Sequence, residues 1–164
     1  MADEALSPDR TRRQMSGSLS LREYVKRRNG LPLGASGSLS SNLYRSFGSG
    51  SFARFWQIWN PIWGYCLGRF VFAPLKRYFP SEVALLMTFT ISGALHDLVI
   101  MAVRWKSIFF FTHWFFLMGL TVVISKRFDL NYQKLSWSGR ASINFGLIAG
   151  NLILAIIIQK YYAG

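Results

Sequence analysis

The chain has 164 residues, among them 14 Phe, 7 Tyr, 6 Trp and a single Cys, with 19 Lys and Arg against 7 Asp and Glu for a net charge of +12. One cysteine excludes a disulfide scaffold, and 51% hydrophobic residues exclude a chain disordered over most of its length. Twelve of the nineteen bases precede residue 81, beside the first long apolar segment, so membrane lipids and not nucleic acid are the expected partner of the positive charge.

Residues 1–50 are rich in Ser, Gly and Arg. No apolar run follows Met1–Arg13, so no cleavable signal peptide is expected, and Thr11-Arg12-Arg13 makes a poor twin-arginine signal. Apart from a short amphipathic stretch at Leu21–Arg28, this composition predicts a flexible basic cytoplasmic region that adheres to headgroups, with Gly48 and Gly50 as ordinary linker residues.

Residues 51–80 differ in texture, since SFARFWQIWNPIWGYCLGRFVFAPL holds seven Phe and Trp residues together with Tyr65. Such aromatics favour the boundary between hydrocarbon and water, which predicts interfacial or re-entrant helices. Pro61 disfavours helical backbone at Asn60 but suits the first turn of a new helix, so two helices are expected with Asn60 as the N-cap of the second. Trp56, Trp59, Trp63 and Phe70 fall at helical spacing on roughly one side. Cys66 reads as a small packing residue or, near the interface, as an acylation site.

Residues 81–164 form the expected transmembrane region. Val83–Val103, Ile108–Ile124 and Ala141–Ile158 approach the ~20 residues a spanning helix needs. Only Arg104-Trp105-Lys106-Ser107 joins the first two, which predicts a tight antiparallel hairpin. Arg69, Lys76, Arg77, Lys126, Arg127, Lys134 and Arg140 fall on one side of these spans, and Arg104, Lys106 and Lys160 on the other; seven against three puts the N-terminus in the cytoplasm. The third span carries Asn144 and Asn151 seven residues apart, with Gly146 and Gly150 in a small-xxx-small spacing suited to close helix packing. The expected fold class is therefore all-α: a multi-pass integral membrane protein with about three transmembrane helices, an aromatic-rich interfacial or re-entrant helix pair and a flexible N-terminal region.

His96 and Asp97 lie inside the first apolar span. An acid at the centre of such a helix costs about 2.5–3.5 kcal/mol on insertion scales, so a use for the pair is expected. Thr88, Ser92 and His96 recur every four residues as a polar stripe, with Gly93 and Asp97 on the adjoining one, and such a strip must face protein or water. A neutral imidazole can take a proton from an alcohol, the general-base step of an acyl transfer. Asp97 lies about 100° around the helix from its neighbour, so it is expected to face another helix or to carry a proton. Hydrogen-bonded packing is the competing reading of both residues. A third has His96 meet His113 across the hairpin to hold a haem iron or another metal. The sequence has no phosphate-cradling glycine loop, no Ser-His-Asp order and no zinc spacing.

Phe55-Trp56-Gln57-Ile58-Trp59-Asn60, then Tyr65, Phe72-Ala73-Pro74-Leu75 and Ser92-Gly93-Ala94-Leu95-His96-Asp97-Leu98 together resemble the signature region of the membrane-bound O-acyltransferase (MBOAT) family, its wax-synthase-like and sterol or diacylglycerol acyltransferase branches in particular. The resemblance covers about Phe52–Ile100, some thirty per cent of the chain. It implies that His96 is the catalytic histidine and that Asn60 occupies the polar position before the active site. Trp56 and Trp59 match the aromatic positions, with Ser92 and Asp97 as further substrate-binding residues. An acyl thioester such as acyl-CoA would be the donor substrate and a hydroxyl compound the acceptor, with no metal or cofactor. The family builds a many-helix bundle around a tunnel, which three spans cannot enclose. The chain is then expected to form a homo-oligomer, to join a larger membrane partner, or to be a non-catalytic small subunit of such a complex that keeps the motif for packing.

Overall fold

The computed structural model describes residues 19–105 and 109–163, and the elements within them are helical. Residues 1–18 of the expected basic region, Lys106 and Ser107 of the hairpin turn, and Ile108 at the start of the second expected span lie outside the described residues.

Over residues 19–50 the structure departs from the flexible stretch that the composition suggests. Helix α1, Leu21–Asn29, starts at a capping box in which Ser20 and Glu23 exchange hydrogen bonds, and ends at Gly30 in left-handed backbone at φ 81°. Hydrogen bonds from Ser20 hold the Glu23 carboxyl below its ordinary pKa. Helix α2, Ser38–Phe47, follows after a short loop. Polar side chains fasten both: Asn29 Nδ2 donates to Ser38 Oγ at 2.6 Å, Ser41 Oγ to the Asn29 carbonyl at 2.7 Å, and Asn42 Nδ2 to the Ile58 carbonyl at 2.8 Å. Gly48 and Gly50 are close-approach positions and not mere linkers. A Cβ at Gly48 would lie 2.5 Å from Trp137 Nε1, and one at Gly50 would lie 2.9 Å from Gln133 Cα.

Helix α3, Phe52–Ile58, is capped by Ser51 and breaks where Pro61 requires. Asn60 adopts left-handed backbone at φ 43°, ψ 71°, which Asn tolerates better than most residues. Its Oδ1 accepts from Trp63 N at 3.2 Å and caps helix α4, Pro61–Leu67. The chain continues through a π-helical turn, Gly68–Phe72, into the short helix α5, Ala73–Leu75. Phe52 and Phe55 are fully buried against Val122, and Phe47, Trp56 and Trp59 pack around them as an aromatic cluster.

Three longer helices complete the fold: α6, Ser81–Arg104; α7, Phe110–Arg127; and α8, Trp137–Ala163. Two segments, Ser81–Arg104 and Trp137–Tyr161, are long and apolar enough to cross a membrane. α6 and α7 pack along their lengths as the expected antiparallel pair. Glycines permit this: a Cβ at Gly93 would strike the Phe111 carbonyl and stand 2.8 Å from Thr112 Cα, and one at Gly119 would stand 2.8 Å from Phe89 Cβ.

The two asparagines of α8 turn inward. Asn144, fully buried, donates to the carbonyls of Phe47 at 2.8 Å and Ser49 at 3.0 Å while accepting from Tyr132 Oη at 2.5 Å; Asn151 Oδ1 accepts from Thr121 Oγ1 at 3.1 Å. Gly146 and Gly150, by contrast, meet no neighbour within 4 Å, so their small-residue face is not packed against a helix of the described chain.

Burial pushes the Tyr132 hydroxyl up to about 12. The folded chain therefore keeps this proton at a pH where an unfolded tyrosine, ionising near ~10, has lost it. The stabilisation is intact below about pH 10 and drains as pH rises towards about 12. Tyr132→Phe should lower unfolding free energy by about 1 kcal/mol at neutral pH and flatten the alkaline loss, as measured by denaturation midpoints in mild detergent across that window.

Candidate functional site

A cavity of about 450 Å³ lies between the aromatic helices α3 and α4 and the α6–α7 pair. The polar stripe of α6 forms one wall, since Thr88, Ser92 and His96 all border it, together with Leu85 and Phe89. From Leu85 to His96 the wall rises about 16 Å at ~1.5 Å per residue. Trp56, Trp59, Asn60 and Trp63 form the facing side, and Phe115 and Val122 contribute from α7.

The His96 ring is held on several sides. It stacks on Phe115 at 4.9 Å between centroids and on Phe111 at 5.8 Å, and meets Trp63 edge-on at 5.9 Å. Its Nδ1 lies 2.6 Å from the Ser92 carbonyl oxygen, one helical turn back. A carbonyl only accepts, so this contact places the proton on Nδ1 and leaves Nε2 of a neutral ring as the lone-pair nitrogen. The Ser92 side chain, 2% exposed, is also engaged, with its Oγ accepting from Trp63 Nε1 at 2.9 Å. Ser92 thus fixes Trp63 through its hydroxyl and His96 through its carbonyl.

Asp97 stands apart from this cavity. It is 1% exposed, and its carboxyl oxygens accept from Phe111 N at 2.9 Å, Thr112 N at 2.7 Å and Thr112 Oγ1 at 2.6 Å. The two backbone N–H groups are orphan donors of the first turn of α7, so Asp97 caps that helix from across the hairpin. As expected it faces another helix, with both carboxyl oxygens engaged by α7 and neither bordering the cavity. Capping α7 places Phe111, which stacks on His96.

Asn60 borders the cavity with its Oδ1 occupied by Trp63 N. Its amide N–H₂ has no protein partner among the described residues. The indole N–H of Trp56 is buried without a partner, and Trp56 borders the cavity between Phe89 at 5.2 Å and Phe115 at 6.1 Å. Phe70, expected on the same side as the tryptophans, is 68% exposed and lies outside the site.

His113 does not meet His96. It is exposed, with Nδ1 at 2.5 Å from the Phe109 carbonyl. Among the described residues no group of three His, Cys, Asp or Glu side chains is placed to hold a metal. Two basic side chains that the sequence marks only through its charge pattern and not as site residues, Arg28 of α1 and Lys126 at the end of α7, also border the cavity. Arg28 lies over the Tyr24 ring and donates to Gln57 Oε1 at 3.1 Å. Phe111, Phe115 and Tyr24 likewise escaped notice, because one phenylalanine among fourteen carries no local mark.

Comparison with protein-family models, with curated proteins and with solved structures finds no match to this chain.

Removing the Asp97 carboxylate leaves buried donors of α7 unpaired. Asp97→Asn should lower stability by about 2–4 kcal/mol and Asp97→Leu by at least as much, read as a fall in the unfolding midpoint in mild detergent. Equal midpoints in the wild type and Asp97→Leu would show that the cap does not hold the hairpin.

Proposed function

We propose that the chain builds the histidine half of a membrane-embedded O-acyltransferase site of the MBOAT type, in which His96 is the general base. The single observation that carries this reading is the imidazole itself: Nδ1 is tied to the Ser92 carbonyl, and the ring is clamped by Phe111, Phe115 and Trp63 beside a cavity. A histidine serving only as interhelical glue would spend its nitrogens on the neighbouring helix, whereas this one bonds within its own helix and keeps Nε2 available.

In the proposed reaction Nε2 takes the proton of a hydroxyl acceptor as its oxygen attacks the carbonyl carbon of a fatty acyl thioester such as acyl-CoA. Collapse of the tetrahedral intermediate breaks the carbon–sulfur bond, and the imidazolium returns its proton to the departing thiolate, giving ester and free thiol. The side-chain amide of Asn60, an exposed residue that borders the cavity, is a donor suited to a carbonyl or developing oxyanion. Trp59 supplies apolar wall for the chain, and each buried methylene adds ~0.8 kcal/mol of binding. Arg28 and Lys126 suit the phosphates of the donor.

The same reading makes this an integral, multi-pass membrane protein with α7 as its third span and the N-terminus in the cytoplasm. The 18 residues of α7 reach about 27 Å, close to a ~30 Å hydrocarbon core once flanking residues are added. The charge imbalance across the spans supports the orientation. The unpacked face at Gly146 and Gly150 favours association with a second copy or a larger membrane partner, and the alternative of a non-catalytic subunit rests on that face.

His96→Ala should abolish ester formation, a loss of about 10²–10⁴-fold from the general base, while the protein inserts and accumulates at the wild-type level. Lipid extracts from cells with and without the gene would identify the ester, and His96→Ala should match the extract without it. Collapse of accumulation in His96→Ala, or an unchanged ester profile, would instead support a packing role.

A further inference from the structure

Glycine inside a helix costs about 1 kcal/mol relative to alanine, so each one calls for a reason. For Gly93 and Gly119 the reason is a neighbouring helix that a Cβ would strike. Gly64 and Gly68, four residues apart across the α4–π-helix junction, have no such neighbour among the described residues. A Cβ at Gly64 would find only Tyr24 Oη, at 3.8 Å, and one at Gly68 would find nothing within 4 Å. Backbone conformation does not demand them either, because Gly68 has ordinary right-handed helical angles, φ −61° and ψ −42°, and Gly64 lies within α4. Both glycines border the cavity of His96. The helix widens into its π-helical turn at Gly68, and such turns recur at functional sites.

We infer that Gly64 and Gly68 set the girth of the lipid chain that this cavity accepts: their missing side chains leave room for the aliphatic chain of a substrate, which rests on reading the cavity as a substrate site. The volume is sensitive to one residue. Truncating a leucine frees on the order of 150 Å³ in a well-packed protein, so a leucine at Gly68 would take roughly a third of the available space.

The test uses the full chain in lipid nanodiscs and a diazirine-bearing long-chain fatty alcohol, with cross-links mapped by mass spectrometry. Wild type, His96→Ala and Gly68→Ala should label on peptides containing Trp56, Trp59 and Phe89. Gly68→Leu should lose roughly tenfold or more of that labelling, the scale expected from overpacking a filled site, with Gly64→Leu also reduced. Labelling of the lipid-facing residues of α8 should stay unchanged in every variant, which reports an intact fold. Undiminished cavity labelling in Gly68→Leu overturns the inference, and so does equal loss in Gly68→Ala, which would mean the helix needs glycine for its own sake. Absence of cavity labelling in the wild type overturns it too. Because labelling needs no turnover, a labelled wild type that forms no ester refutes only the catalytic reading.

Discussion

The arrangement depends on one carboxyl group between two helices. Asp97 would be costly in an apolar helix, yet three donors of the α7 first turn converge on it. Hydrogen bonds contribute about 0.5–1.5 kcal/mol each even between neutral groups, so three of them offset much of that insertion cost. The pairing works in both directions, since without Asp97 the N–H groups of Phe111 and Thr112 would be buried with nothing to bond. Gly93 lets the backbones approach closely enough for the cap to reach. Once α7 is fixed in this register, Phe111 and Phe115, one turn apart, present their rings to His96. The residue beside the histidine in sequence thus acts on it through a second helix.

The N-terminal helices complete the cavity, and polar side chains again fix their position. Asn42 satisfies the carbonyl of Ile58 at the point where α3 stops, and Asn60 begins the next helix two residues later. Two backbone groups that a helix break leaves open are closed in this way, and the break directs Trp56, Trp59 and Trp63 towards one cavity. Asn144 performs the same service at the far side by binding the carbonyls of Phe47 and Ser49. Apolar packing supplies bulk around Phe52 and Phe55, while these amides select the register.

Much of this was legible because it follows from local rules. Pro61 announces the break at Asn60, and a four-residue linker announces the hairpin. The period of Thr88, Ser92 and His96 announces a polar wall. The helix Ser38–Phe47 was not legible, since SLSSNLYRSF has the composition of a linker. Its Ser46 and Asn42 are buried only because partners distant in sequence or one turn back take their hydrogen bonds. Glycines misled for a related reason. Gly146-xxx-Gly150 has the spacing of a helix contact and meets nothing among the described residues, whereas Gly48 and Gly50, in a stretch resembling a linker, are close-approach positions. Spacing reports which residues share a face, but not what that face meets. His113 illustrates the same limit, because similar depth in two helices says nothing about rotation around the second.

The distribution of polarity on α8 argues for the solvent that surrounds it. Asn144 and Asn151 point to protein partners, while Phe145, Ile153, Leu154, Ile156 and Ile157 are exposed, Phe145 at 62%. In water this would be inverted, since an exposed apolar face of that length is an association or aggregation site. In hydrocarbon the pattern is the stable one, because lipid accepts the aliphatic side chains and rejects the amides. The imidazole is held by its own helix: the hydrogen bond between His96 Nδ1 and the Ser92 carbonyl selects the tautomer with its lone pair on Nε2, the one that the proposed proton transfer needs.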